Sequence, residues 1–321
     1  MQPVYPFGSR AVPVKVFDCH HGVSNHLELS MAPREQFPSL TMQEWLDQTV
    51  TSHMARLDAG GVDQAAIHAS VGYRRSAGLD AMRSQNNCIA RYRDCSNGRL
   101  PAAFGVAEPL FADDSLPEID RCKHELGLTG IGFHPRFQGV STENYWILRF
   151  VERILDLGML PVLRGMGETV EEDLWKVAHV AKAFPDSEIL VLDVFATWEG
   201  SSWAYSIAEE NPNITFNTAL AYEFEMVAPF IDVVGSKRIV FGSDLHHPAP
   251  PTPRRGMPGD RFTRVGWMVP PMKIARLKDE LIASSLSDDV KYDVLWGNSA
   301  RLFKLDTAST PGTRSPQGEV P

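Results

Sequence analysis

Basic residues, cysteines and long apolar runs are all scarce in this 321-residue chain. Lysine and arginine number 31 against 40 aspartates and glutamates, giving a net charge of -9 and a pI near 5.6. Sequence-independent nucleic-acid binding needs a basic face to neutralise phosphates, and that balance excludes it. No stretch of about eighteen consecutive apolar residues occurs, so no membrane span is expected. The first ten residues, MQPVYPFGSR, contain no apolar segment of the kind a signal peptide requires. The four cysteines, Cys19, Cys88, Cys95 and Cys122, form no C-x-x-C pair and no short secreted framework. Free thiols in a reducing, cytoplasmic compartment are therefore the expectation.

What the chain has is alternation. Apolar runs of strand length recur between amphipathic stretches: VKVFD (14–18), VDQAAIHAS (62–70), LPAAFGVA (100–107), TGIGFH (129–134), MLPVLR (159–164), EILVLDVF (188–195), NITFNTA (213–219) and RIVFGSD (238–244). The first helix is expected around 42–59, with Leu46, Val50, Met54 and Leu57 on one face and Gly60 and Gly61 as its stop. Further helices are expected to about 97, to about 126, from about 144 to Gly158, over 171–184, near Trp203 as a shorter one, and to about 234. Strands that alternate with helices run parallel, because each helix returns the chain to the same end of the sheet. Eight such units favour an α/β fold of the (β/α)8 TIM-barrel type, a single domain over residues 1–306. Two C-terminal helices, 271–286 and 287–296, are expected to complete it, the second capped by Ser287 and stopped by Gly297. The Pro- and Arg-rich loop 248–266 is long enough to act as a lid, and the Ser/Thr/Pro/Gly-rich tail 307–321 is expected to be disordered.

In such a barrel the chemistry collects at the C-terminal ends of the strands. Polar or charged residues end seven of the eight runs: Asp18 with His20, His68, His134, Arg164, Asp193, Asn217, and Asp244 with His246. Any one of these could simply meet solvent at a strand end. An aspartate inside EILVLDVF has no packing reason to be there, and burying it unpaired is costly.

The segments VFDCHHG, GIGFHPRFQG, LGMLPVLRGMGE, EILVLDV, RIVFGSDLHH and GNSARLF fall in an order and spacing that resemble the amidohydrolase superfamily. The resemblance is to the amidohydrolase-related branch that includes aminocarboxymuconate-semialdehyde decarboxylase and γ-resorcylate decarboxylase, and it runs from about residue 14 to 305. It implies a barrel, often homodimeric, with a divalent metal at the strand ends. Residue by residue the match is incomplete. Asp18 and His20 fit the family's D-x-H-x-H, but Gly22 stands where its second histidine would be. Arg164 stands in place of a ligand histidine, and Asp193 in place of the histidine that ends the sixth strand. Asp244 and His134 are retained.

Guanidinium offers no lone pair to a metal and stays protonated at ordinary pH. Arg164 is therefore expected to take over the metal's electrostatic role by pairing with Asp193, Asp244 or both. The alternative is a remodelled zinc or manganese site built from His20, Asp193, Asp244 and His246. His246 and His247 are more readily two solvated loop histidines, His21 a packing or hydrogen-bonding group, and Cys19 core. Arg254 and Arg255, with Arg261 and Arg264 on the same loop and Arg136 beside the fourth strand, suggest a small anionic substrate, toward which Arg164, His68 and Asn217 would also contribute. The first functional reading is a hydrolase in which Asp244 or Asp193 is the general base, His20 and His134 position substrate or move protons, and Arg164 stabilises negative charge. A decarboxylase or other lyase on the same site is the second. A non-catalytic barrel that binds a ligand or partner is the third.

Overall fold

The structure is a computed structural model that describes residues 14–23, 42–69, 78–167, 169–221, 223–247 and 271–305. The arginine-rich loop, with Arg254, Arg255, Arg261 and Arg264, and the 307–321 tail lie outside the described residues. The expected alternation is present. In chain order the elements are β1 (Phe17–Val23), α1 (Met42–Gly60), β2 (Gln64–Ala69), α2 (Leu79–Asp94), β3 (Ala102–Gly105), α3 (Leu116–His124), β4 (Gly130–Gly132), a single turn α4 (Pro135–Gln138) and α5 (Tyr145–Asp156). They continue with β5 (Leu160–Arg164), α6 (Leu174–Ala183), β6 (Ile189–Leu192), α7 (Trp198–Glu210), β7 (Ile214–Asn217), α8 (Ala228–Val234), β8 (Ile239–Val240), β9 (Leu245–His247), α9 (Pro271–Ala283), α10 (Asp288–Tyr292) and α11 (Asn298–Leu302).

All the strands pair in parallel, in the order β8-β7-β6-β5-β4-β3-β2-β1-β9. β8 and β9 are two halves of the eighth pass: the first pairs with β7, the second with β1, and the amide of Cys19 donates to Phe241 O at 2.9 Å between them. The ring therefore closes through one stretch of chain, as a (β/α)8 barrel. The sequence reads 238–244 as a single strand. Strand pairing stops after Val240 and resumes at Leu245, and the last residue of the gap, Asp244, has a left-handed φ of 56° that lies outside regular strand geometry.

Strand alternation sorts the core into two layers. The inner layer holds Phe17, Cys19, Ala66, Ala102, Phe104, Leu160, Val162, Leu190, Leu192 and Val240. Trp296, Ala300, Leu302 and Phe303 join it from the C-terminal helices. Phe303 lies 5.1 Å from the ring of Phe17 and 5.9 Å from that of Phe104, so these helices plug the N-terminal end of the barrel. Buried side chains of this size each contribute about 1.5–3 kcal/mol. The outer layer packs the helices, for example Ile147, Phe150, Val151 and Ile154 of α5.

Three local expectations differ. The α7 helix near Trp203 has 13 residues and is not short. Ser287 caps α10 by accepting from Val290 N, as expected, but Gly297 does not end the helical run. A Cβ at Gly297 would lie 2.7 Å from Tyr292 Cε1, so close packing and not termination calls for glycine there. Third, β1 runs on to Val23, five residues beyond Asp18, and its pairing with β2 slips between Asp18↔Ala65 and His21↔Ile67. Three steps on β1 match two on β2, which is a bulge of one extra residue.

Candidate active site

The bulge decides which histidine enters the barrel. Before it, Phe17 and Cys19 face inward and Asp18 outward; after it, His20 faces inward and His21 outward. Asp18, which the resemblance groups with His20, is therefore turned away from the cluster. Its Oδ1 accepts from the amides of His20 at 3.1 Å and Ser243 at 3.0 Å, and its Oδ2 meets His21 Nε2 at 2.8 Å. His21 has the hydrogen-bonding role expected of it: its Nδ1 lies 2.8 Å from His53 Nε2, and His53 Nδ1 lies 3.0 Å from Tyr92 Oη. Asp18, His21, His53 and Tyr92 form a fully buried chain between barrel and helices. With Asp18 as acceptor, one consistent set of tautomers has every proton donated toward it, from Tyr92 onward.

At the C-terminal end of the barrel, His20, Asp193, Asp244 and Arg164 come together, all buried. Arg164 is the last residue of β5 and shares the inward parity of Leu160 and Val162. Its Nη1 donates to Asp193 Oδ2 in a tight ion pair, and its Nη2 lies 3.2 Å from His20 Nε2. His20 has a carboxylate at each ring nitrogen: Asp244 Oδ1 is 3.2 Å from Nε2, and Asp193 Oδ1 is 3.7 Å from Nδ1. Asp193 directly follows β6 and Asp244 directly precedes β9, both with left-handed backbone, φ 68° and 56°. Aspartate tolerates that region better than most residues, and such strain gathers at functional sites. Burial alone would lower the Arg164 pKa, but Asp193, Asp244 and Glu172 outweigh it and hold the guanidinium above its ordinary value. Arg164 is a permanent cation among buried acidic groups.

Asn217 ends β7 behind this cluster. Its Oδ1 accepts from Asp193 N at 3.1 Å and its Nδ2 lies 3.4 Å from His20 Nδ1, which ties the two catalytic candidates together. His68, on β2, stacks on Phe104 at 4.5 Å and meets the ring of His20 edge-on at 5.2 Å. Its Nε2 donates to Cys19 O at 2.9 Å, and burial pushes its pKa down to about 3, so it is a neutral imidazole. Burial pushes the Cys19 thiol well up, in keeping with a core role.

A second cluster lies at the same end. His134, just beyond β4, places Nδ1 2.6 Å from Glu172 Oε1, and Arg136 brings its backbone amide to the same oxygen at 3.2 Å and its Nε to Oε2 at 3.5 Å. Glu172 is fully buried, and burial raises its pKa to about 7, against the pull of Arg164 and Arg136. Glu172 is not singled out from sequence, where it falls in the acidic run Glu171-Glu172-Asp173 at the expected start of a helix. His246 falls in β9, its Cα paired with that of Gly22, so its backbone is strand and not loop; its side chain is outside the described residues, as are those of Arg254 and Arg255.

His20, Asp193 and Asp244 each turn a donor atom toward a common volume, all within 4.8 Å of one another, a group that could hold a metal ion. One imidazole and two carboxylates are suitable donor chemistry for a divalent cation. The arrangement of Arg164 is not suitable, because its guanidinium already engages Asp193 and His20 and would repel a dication in the same volume.

Several solved structures share this fold. A 5-carboxyvanillate decarboxylase from Novosphingobium aromaticivorans, complexed with manganese and 4-hydroxy-3-methoxy-5-nitrobenzoic acid, superposes with a TM-score of 0.63 at 12% identity, covering 91% of this chain and 96% of that one. A 2,6-dihydroxybenzoate decarboxylase complexed with 2,6-dihydroxybenzoate gives 0.62 at 14%, covering 91% and 100%. The 4-oxalomesaconate hydratase of Rhodopseudomonas palustris gives 0.64 at 15%, covering 90% and 96%. No curated protein sequence matches the chain. The sequence model of one enzyme family, described as amidohydrolase, matches residues 17–305. On that match, which takes in every strand of the barrel, the chain belongs to the amidohydrolase family.

Proposed function

We propose that the protein is a carboxy-lyase that removes carbon dioxide from a small anionic carboxylate, with the guanidinium of Arg164 supplying the positive charge at the centre of the site. One observation carries this reading: Arg164 spans Asp193 and His20 at the focus of the strand ends. A fixed cation in a water-poor pocket stabilises negative charge as it develops on the substrate. It does not ligate water and so cannot make hydroxide from it at neutral pH, which hydrolysis in this fold would ask of the central cation. Decarboxylation makes no such demand. The bond between the carboxylate and its neighbouring carbon breaks, the electron pair stays on that carbon, carbon dioxide leaves, and the carbon takes a proton. The His20–Asp244 pair, 3.2 Å apart, is placed to deliver that proton. The decarboxylases among the structural neighbours support the same chemistry and make aromatic carboxylates the first substrates to try.

The test is to incubate chelator-treated protein, with its metal content measured, with 2,6-dihydroxybenzoate, 5-carboxyvanillate and a panel of other carboxylates, and to trap carbon dioxide. Release that chelator leaves unchanged and Arg164→Met abolishes is the expected result. Activity that appears only on adding manganese or zinc would overturn the metal-free reading, and incorporation of solvent ¹⁸O into product would identify a hydrolase.

A further inference from the structure

We infer that Glu172 and His134 form a proton-sharing dyad at the mouth of the barrel, with Glu172 as the positioning residue that sets which nitrogen of His134 carries the proton. The contact is short, 2.6 Å from Nδ1 to Oε1, and the carboxyl is fully buried while the imidazole is only partly so. That is the arrangement in which a buried carboxyl fixes the tautomer of the histidine it contacts.

The surroundings hold both partners. His134 N donates to Gln138 Oε1 at 2.9 Å, Gln138 Nε2 donates to Ala107 O at 2.9 Å, and the His134 ring stands edge-on to Phe137 at 4.4 Å. The charged groups around Glu172 come from four places: His134 beyond β4, Arg136 on α4, Arg164 on β5 and Asp193 beyond β6. Arg136 is itself held, its Nη1 2.9 Å from Met166 Sδ and its guanidinium over the Phe137 ring. Burial pushes the Glu172 carboxyl up to about 7, so near neutral pH it exists both with and without its proton against Nδ1 of His134. When Glu172 is a carboxylate it accepts from Nδ1–H. When it is protonated it donates to Nδ1 and leaves the proton of the ring on Nε2.

If the lyase reading holds, His134 becomes a second proton donor beside the Arg164 cluster; the dyad itself does not depend on that reading. Its test therefore needs no substrate. ¹⁵N-imidazole NMR of the full chain, with His134 assigned through His134→Gln, follows Nδ1 against pH in the parent and in Glu172→Gln. Replacing the carboxylate by an amide removes the negative charge beside Nδ1, and the imidazole is expected to lose its proton about one pH unit or more lower in the variant. An unchanged titration in Glu172→Gln overturns the dyad. Should that variant fail to fold, the ¹³C carboxyl resonance of Glu172 in the parent and in His134→Gln gives the same answer: a titration that shifts when the imidazole is removed supports the pair, and one that does not move refutes it.

Discussion

Arg164 and Asp193 are bound to each other across neighbouring strands: Arg164 pairs in register with Leu192 of β6, and Asp193 is the next residue, turned back by its left-handed backbone to meet the guanidinium. Neither charge is tolerable alone at this depth. Removing one partner of a buried pair leaves the other uncompensated and costs about 3–5 kcal/mol. Arg164→Met is therefore expected to lower unfolding free energy by about that amount, whereas Arg164→Met with Asp193→Asn together should lose much less. Equilibrium urea denaturation of the three proteins checks the coupling, and simple additivity would contradict it.

Glu172 gives stability a pH dependence of definite sign. Its pKa is raised on folding from 4.5 to about 7, so its contribution is full below pH 4.5 and is lost as pH rises toward 7. The loss is at most about 3 kcal/mol. Glu172→Gln removes the titrating group, and its unfolding free energy should fall less than that of the parent between those two pH values.

His68 acts in the opposite sense. Folding lowers its pKa from 6.5 to about 3, so its contribution is present above pH 6.5 and is lost as pH falls toward 3. His68→Gln cannot take up a proton in this range, and it should be less sensitive than the parent to acid over that interval. Urea midpoints measured from pH 7 down to 4 make the comparison.

The chain from Asp18 to Tyr92 should behave as a unit. Tyr92→Phe deletes the buried contact with His53 at 3.0 Å and a longer one to Thr49 O at 3.4 Å, and is expected to cost about 1 kcal/mol or somewhat more. His53→Leu should cost more, because it removes the contacts to both Tyr92 and His21 and leaves the buried Nδ1 of His21 without its 2.8 Å neighbour. The double variant should cost less than the sum of the two, and a double-mutant cycle measures the difference.

Much of this was legible before any coordinates. Apolar runs separated by amphipathic stretches mark the eight β/α units, and strand alternation puts His68 and Arg164 on the inward face two positions after Ala66 and Val162 of the inner layer, while Asn217 is marked only as the polar end of its run. Asp18 was misplaced because one extra residue in β1 changes parity midway, and no glycine or proline marks the slip in VFDCHH. Glu172 was hidden among acidic neighbours, since burial of a loop carboxyl is decided by contacts with β4, α4 and β5, distant in sequence. The split of the eighth strand depends on a backbone angle at Asp244 that composition does not encode.

The slip in β1 ties the Arg164 cluster to the buried chain that runs from Asp18 to Tyr92. Asp18 and His21 are three residues apart, a spacing that an unbroken strand would place on opposite faces, and they meet only because of the extra residue. The same irregularity aims His20 at Arg164 and Asp244. Straightening the strand would undo both arrangements at once. One inserted residue thus sets the aim of His20 inside the barrel and that of His21 toward His53 on α1, so its deletion would be a single lesion with two sites of damage.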